Sequence, residues 1–119
     1  MNIVINNKTY EVELIDGVTS KDIVEKLPLE LKLNRYAEHE YSGELPFTPK
    51  MDENTTSNVV VGHLYYWDGW NSFVINYKDL DISPYKVVHL GEIKDKNIVE
   101  LLKNADKRIN VRLENNDEK

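Results

Sequence analysis

The chain has 119 residues with a net charge of −6, from 15 Lys and Arg against 21 Asp and Glu, and it contains no cysteine. This length predicts a single domain, and the negative charge argues against binding to nucleic-acid phosphates. Without cysteine, disulfides, thiolate metal ligands and a cysteine nucleophile are excluded.

The first third of the chain predicts a β-hairpin, a helix and a strand in that order. Apolar and polar residues alternate on both sides of Asn6-Asn7-Lys8, which is typical of two half-buried strands joined by a turn. Thr19 as N-cap, Asp22 three residues later and Pro28 as a stop predict a helix over residues 20–27. Strict alternation from Leu29 predicts a strand that continues through Tyr36, and residues 37–46 are a weaker strand prediction.

The middle of the chain combines the longest predicted loop with most of the aromatic residues. Residues 46–58 carry two prolines and no apolar periodicity, so they predict a loop on the outside of the fold. Asp68-Gly69 predicts a two-residue hairpin turn between strands HLYYW and WNSFVINY. In the second strand Phe73, Ile75 and Tyr77 share a face, which predicts that they fill the interior, whereas Trp67 and Trp70 flank the turn.

The last third predicts a strand over residues 86–93, a helix over 95–105 and a strand over 109–114. Residues 1–114 therefore form the predicted domain, and residues 115–119 are predicted to be a disordered acidic tail. About eight short strands with two short helices and no repeat predict a small closed barrel or a sandwich.

Several motifs resemble those of the small cyclophilin-like family of bacterial and archaeal proteins. They are KLPLEL, the Glu44-Leu45-Pro46 strand end, Gly62 before the Tyr66-Trp67 pair, the Phe73-x-Ile75-x-Tyr77 strand, Ser83-Pro84-Tyr85 and Leu90-Gly91-x-Ile93. The resemblance implies a mainly β fold, a closed eight-stranded β-barrel with two short helices at its ends. The family has no assigned activity, so the resemblance implies none. Its members occur alone or beside flavodoxin-like domains, so the resemblance implies a flavodoxin-like protein as a candidate partner. His63 stands where the family has an acidic residue, and the proline-gripping runs of full-length cyclophilins are missing.

Two functions of different classes remain open from the sequence. As a binding module, the protein holds an extended peptide, a small ligand or a protein partner in a groove beside Arg35, Tyr36, Phe47, Trp67 and Trp70. As an enzyme, it is a minimal peptidyl-prolyl isomerase in which Arg35 donates to the prolyl nitrogen. The groove is predicted to lie between the long loop and the Asp68-Gly69 turn, with a tryptophan as its floor and Arg35 as its cationic end. A structural role for Arg35, in which it pairs with Glu38 or Glu40 on a solvent-facing strand, is the alternative.

The histidines do not predict a metal site. His39, His63 and His89 occur with Glu38, Glu40 and Asp68, but their spacing matches no ligand motif, and on a strand His39 points away from the neighbouring glutamates. We expect no metal and no cofactor. The N-terminus lacks the pattern of an export signal and no apolar run reaches the length of a membrane span, so a cytoplasmic protein is expected. The oligomeric state stays open.

Overall fold

A computed structural model describes residues 1–115, in which eleven strands and two helices are present. The strands are β1 (Asn2–Ile5), β2 (Lys8–Leu14), β3 (Leu29–Tyr36), β4 (Glu40–Glu44), β5 (Thr55–Thr56), β6 (Asn58–Val59), β7 (His63–Trp67), β8 (Ser72–Asn76), β9 (Leu80–Asp81), β10 (Val87–Ile93) and β11 (Arg108–Glu114). The helices are α1 (Val18–Glu25) and α2 (Asn97–Asn104). Apart from Asn115, the predicted acidic tail lies outside the described residues.

Eight of these strands close into an antiparallel barrel in the order β2-β1-β11-β3-β4-β8-β7-β10. The barrel closes where Gly91 of β10 pairs with Leu14 of β2. The predicted closed eight-stranded barrel is therefore confirmed. The extra strands lie outside it: β5 extends the edge of β10, and β6 pairs with β9 as a separate ribbon.

The barrel interior is filled by alternate residues of each strand, as the sequence pattern predicts. Phe73 and Ile75 are completely buried in the main core and Tyr77 is 6% exposed, so their predicted interior position is confirmed. A fully buried side chain of this kind contributes about 2 to 3 kcal/mol of transfer free energy. In a barrel of eight strands such side chains fill the interior, so ligands have room only at the outer wall and the rims.

A second, smaller apolar cluster covers the outer face of β7 and β8. Tyr65 and Val74 point outwards from these strands and are buried against Val59 of the β6–β9 ribbon and Val87 of β10. Trp67 packs against the same cluster and is only half-buried. The cluster therefore supports Trp67 from one side of the ring.

The first helix begins at Val18, after Gly17, so the prediction that Thr19 is its N-cap is wrong. Thr19 lies inside the helix, where its hydroxyl donates to the Lys50 carbonyl at 2.7 Å and accepts from the Asp52 amide at 2.8 Å. Asp22 accepts from the Lys50 amide at 2.8 Å. These bonds hold the long loop against α1, and they satisfy groups of the loop, not the free amides at the start of the helix. Neither α1 nor α2, the helices of the described part of the chain, has the length and apolarity needed to cross a membrane.

The β7–β8 connection also differs from its prediction. Asp68–Trp70 form a single 3-10 turn and Asn71 adopts a left-handed conformation with φ of 49°, so four residues join the strands instead of two. Asparagine tolerates this conformation better than most residues. The prediction of a two-residue turn at Asp68-Gly69 is therefore wrong, and Trp70 lies in the connection, not in a strand.

Candidate functional site

Three large aromatic side chains surround a cleft on the outer wall of the barrel. Tyr36, the last residue of β3, lines one side of the cleft, and Trp67 at the end of β7 and Trp70 in the following turn line the other side. Tyr36 is 49% exposed and Trp70 is 69% exposed. We call this concavity of about 460 Å³ the aromatic cleft. Large rings exposed together are unusual on a protein surface and often mark a binding site.

The floor of the aromatic cleft is low because its side chains are small. It is formed by the outward-facing residues Asn34, Ser42 and Ser72 of β3, β4 and β8 and by the backbone of Gly43. At Gly43 a Cβ would collide with the Lys32 carbonyl oxygen, so glycine permits the close approach of β3 and β4 there. Charged side chains stand at the margins of the floor: Lys32, Glu40 and Glu44.

The two indole rings are held in a defined arrangement. Their planes lie within 10° of each other with centroids 6.2 Å apart, and Tyr85 meets Trp67 edge-on at 5.8 Å. The Trp67 ring also lies directly over Gly69. Stacked and edge-on contacts of this kind add to the burial of the rings and limit their rotation. These contacts thus hold the rings of Trp67 and Trp70, which we call the tryptophan wall, in place before a ligand binds.

Asn71 fixes the turn that carries Trp70. Its side-chain oxygen accepts from the Tyr66 hydroxyl at 2.6 Å, and its amide nitrogen donates to the Phe47 carbonyl at 2.9 Å. Burial raises the pKa of Tyr66, with the nearby Asp68 carboxylate adding to the effect, so this phenol is a proton donor at neutral pH. A polar network beneath the turn therefore positions an exposed ring above it.

Arg35 lies apart from the aromatic cleft. Neighbouring residues of a strand point to opposite faces, so Arg35 points to the end of the barrel while Tyr36 points outwards. One guanidinium nitrogen donates to the Tyr41 hydroxyl at 2.8 Å and to the Leu102 and Ala105 carbonyls at 3.0 and 2.9 Å. The Arg35 head thus binds the C-terminal end of α2, where a cation is favoured by the free carbonyls. Its hydrogen-bond partners are these groups, not the predicted carboxylates of Glu38 or Glu40.

Phe47 also lies outside the aromatic cleft. It lines a neighbouring depression of about 620 Å³ with Pro46, Thr48 and Asn71, and the Lys26 ammonium stands 4.9 Å from its ring centroid. This depression adjoins the aromatic cleft along Lys32 and Glu44, which line both.

The predicted single groove is therefore divided. Tyr36, Trp67 and Trp70 come together in the aromatic cleft, Phe47 lies next to it, and Arg35 lines a separate concavity beside Tyr77 and Lys103. The hypothesis that one groove runs from a tryptophan floor to Arg35 is wrong. The long loop packs along α1 through Thr19 and Asp22, which draws it away from the tryptophans.

His63 and His89 form a pair on the outer face of β7 and β10. The two rings are parallel within 9°, and the Nδ1 of His63 lies 2.9 Å from the Nε2 of His89. Burial lowers the pKa of both imidazoles, and the neighbouring His63 lowers that of His89 further. Within residues 1–115, no three potential ligand side chains come together as a metal site.

His39 differs from its prediction as well. It lies in the turn between β3 and β4, after Ala37 and Glu38, which both have positive φ. Its Nε2 is 2.9 Å from a Glu40 carboxylate oxygen, so the expectation that it points away from both glutamates is wrong. A turn does not impose the alternation of a strand, which is the reason for the difference.

A larger depression over β1, β11 and β3 differs from the aromatic cleft in the residues that line it. It measures about 730 Å³, and no aromatic side chain lines it. Two of its charged residues, Arg112 and Glu30, pair with each other at 3.2 Å. Charged side chains that pair with each other on a strand surface are typical of a solvated face.

Sequence reasoning missed Tyr85, Ser42, Ser72 and Glu44. Tyr85 lies in the loop after β9 and reaches Trp67 only through folding. The alternation of EYSGE around Tyr41 does place Ser42 and Glu44 on one face, so that signal was present. What the pattern omits is which other strands lie beside that face.

Comparison with known proteins supports the fold. The structure is similar to the solution structure of the hypothetical protein AF2241 from Archaeoglobus fulgidus, with 22% sequence identity and a TM-score of 0.71 over 95% of this chain and 91% of that chain. No curated protein matches significantly. The model of the Cyclophilin-like family matches residues 3–114, which form the barrel, both helices and the aromatic cleft. The chain therefore belongs to the Cyclophilin-like family.

Proposed function

We propose that this protein is a non-catalytic binding module that holds an extended peptide segment in the aromatic cleft. The observation that carries the proposal is the arrangement of three exposed rings, Tyr36, Trp67 and Trp70, around a floor of small polar residues. Tyrosine and tryptophan combine a large apolar surface with a polar group at low conformational cost, and they dominate recognition surfaces for this reason.

Barrel closure indicates how such a peptide binds. Each strand beneath the cleft, β3, β4, β8 and β7, already has a partner on both sides. The peptide therefore has no free strand edge to join and makes its contacts through side chains. A polyproline II segment suits this situation because it has no internal hydrogen bonds and docks in aromatic-lined grooves. The proposed source of this peptide is an unstructured segment that belongs to a partner protein, for example to a flavodoxin-like protein.

The alternative function, prolyl isomerisation with Arg35 as the donor, has weaker support. The Arg35 guanidinium donates to Tyr41 and to the carbonyls that end α2, and it lines a different concavity from the exposed rings. A protease-coupled assay on an X-Pro peptide tests it. We expect no acceleration of isomerisation by the protein, and acceleration that Arg35→Lys abolishes would favour the enzyme over the binding module.

Intrinsic fluorescence reports directly on the proposed site because both tryptophans of the chain belong to the aromatic cleft. We suggest that a random dodecapeptide phage library be selected on the wild-type protein and counter-selected on Trp70→Ala. Enriched peptides are then synthesised and titrated while tryptophan emission is recorded. The proposal expects saturable changes for the wild type and affinity at least about tenfold lower for Tyr36→Ala, a loss typical of an anchor residue.

A matched control separates the cleft from exposed apolar surface in general. Ile15 is 43% exposed and does not line the cleft, so Ile15→Ala should leave the affinity unchanged. The proposal fails if the selection enriches no peptide that distinguishes the wild type from Trp70→Ala, or if the enriched peptides bind Tyr36→Ala as tightly as the wild type.

A further inference from the structure

The charges around the aromatic cleft have one predominant sign. Glu40 and Glu44 face outwards from β4 with Ser42 between them, which places the two carboxyl-bearing residues about 13 Å apart along the strand. Glu40 pairs across the sheet with Tyr36, and Glu44 pairs with Ser72. Lys32 is the only lysine or arginine among the lining residues of the cleft, and one Glu40 carboxylate oxygen lies 2.9 Å from the Nε2 of His39. The cleft thus carries two carboxylates against one ammonium, within a chain of net charge −6.

Aromatic faces and carboxylates attract the same kind of ligand group. The face of an indole or phenol ring is electronegative, so it attracts a cation within about 6 Å of its centroid. A carboxylate attracts the same cation by its charge, and the low polarity of the neighbouring rings strengthens that attraction. The exposed face of Trp70 and the carboxylates of Glu40 and Glu44 therefore act together on a positive group.

An arginine side chain fits this combination better than a lysine side chain. The guanidinium is planar, so it stacks on a ring while its edge donates two parallel hydrogen bonds to a carboxylate. An ammonium is compact and more strongly hydrated, and it makes no such stack. The exposed ring of Trp70, whose plane lies within 10° of that of Trp67, presents a flat surface of this type.

We propose that the peptide bound in the aromatic cleft is recognised through an arginine, whose guanidinium lies on the Trp70 ring and pairs with a carboxylate of the cleft, that of Glu40 or Glu44. This inference rests on the proposed function, and it adds the chemical class of the ligand. Lys32 lowers the affinity for such a peptide, because its ammonium repels the guanidinium.

The test compares two peptides of the same length that differ in one group. The first is Ala-Pro-Pro-Arg-Pro-Pro-Ala, and in the second citrulline replaces arginine, which removes the charge and preserves the shape. Tryptophan emission is titrated with each peptide at low ionic strength and again at high ionic strength. We expect the arginine peptide to bind about tenfold more tightly at low ionic strength, and less so in salt, since salt screens exposed charges.

Variants assign the effect to the named groups. Glu40→Gln with Glu44→Gln should remove the preference for the arginine peptide over the citrulline peptide. Lys32→Gln should strengthen binding of the arginine peptide. Glu100 is exposed on α2 and outside the cleft, so Glu100→Gln serves as the control of equal charge change and should have no effect.

The outcomes separate this inference from the proposed function. Equal affinity for the two peptides, both dependent on Trp70, would overturn the arginine inference and leave the peptide module standing. A preference for arginine that persists in the variant with both Glu40→Gln and Glu44→Gln would overturn the assigned contacts. If neither peptide binds in a Trp70-dependent manner and the phage selection also fails, the proposed function itself is refuted.

Discussion

The hydrogen bond between Tyr66 and Asn71 is the contact on which the geometry of the tryptophan wall depends. We expect the variant Asn71→Gly to lose this bond and the bond from Asn71 to the Phe47 carbonyl. Glycine keeps the left-handed backbone of residue 71 without steric strain, so the change reports on the side chain. It is therefore a cleaner perturbation than alanine, which would add backbone strain.

The magnitude follows from the burial of the groups that lose their partners. Tyr66 is 2% exposed, so its hydroxyl loses an acceptor where water cannot easily replace it. An unsatisfied buried donor costs about 1 to 3 kcal/mol, and the bond to Phe47 adds about 1 kcal/mol. The greater freedom of glycine in the unfolded chain adds about 0.5 kcal/mol. We expect Asn71→Gly to lower the free energy of unfolding by about 2.5 to 4.5 kcal/mol.

A double-mutant cycle isolates the hydrogen bond itself. Tyr66→Phe removes the donor and should cost about 1 to 2 kcal/mol. Because both variants break the same bond, the double variant should be less destabilised than the sum of the two by about 1 to 2 kcal/mol. Unfolding in guanidinium chloride should be followed by far-ultraviolet circular dichroism, since tryptophan emission also reports local changes at Trp70.

The control is Tyr85→Phe, whose ring is 59% exposed and whose hydroxyl is accessible to water. It should change the free energy of unfolding by less than about 0.5 kcal/mol. Additivity of Tyr66→Phe and Asn71→Gly within about 0.5 kcal/mol would refute the reasoning, because independent sites behave in that way.

Three further predictions concern the rest of the barrel. Tyr41→Phe removes a fully buried hydroxyl that donates to the Asp106 carbonyl at 2.7 Å and accepts from Arg35, so the free energy of unfolding should fall by about 2 kcal/mol in chemical denaturation; an unchanged midpoint would contradict this role. Thr19→Val should accelerate hydrogen exchange at the Asp52 amide, which loses its acceptor, while amides of the barrel strands keep their protection; unaltered exchange at Asp52 would show that Thr19 does not hold the loop. The lowered pKa values of His63 and His89 mean that the unfolded chain binds protons more readily than the folded one as the pH falls below about 6.5, so stability should decrease on acidification from pH 7 to pH 5. The Glu92 carboxylate raises the pKa of both histidines and so opposes the shift; at His63, Asp79 also raises the pKa and Lys96 lowers it. A variant with His63→Gln and His89→Gln should therefore lose less stability over this pH range than the wild type.

The sequence by itself determined where most strands lie, because the signals for strands are local, whereas the choice of a closed barrel over a sandwich came from the family resemblance. Alternation from Leu29 to Tyr36 and from Phe73 to Tyr77 records which side of each strand is buried, and the structure has these strands in the predicted places. A period of two residues follows directly from strand geometry. The turn signal at Asn6-Asn7 placed the end of β1 and the start of β2 for the same reason.

Only the tertiary structure decided which side chains meet. Arg35 and Tyr36 are neighbours in sequence, yet one binds the end of α2 and the other borders the aromatic cleft. Thr19 has the chemistry of a helix cap but satisfies backbone groups of a loop that is more than thirty residues away in sequence. The cleft is formed by β3, β4, β8 and the turn after β7, and their adjacency comes from strand order around the barrel. Strand order depends on contacts between residues distant in sequence, which no local pattern encodes.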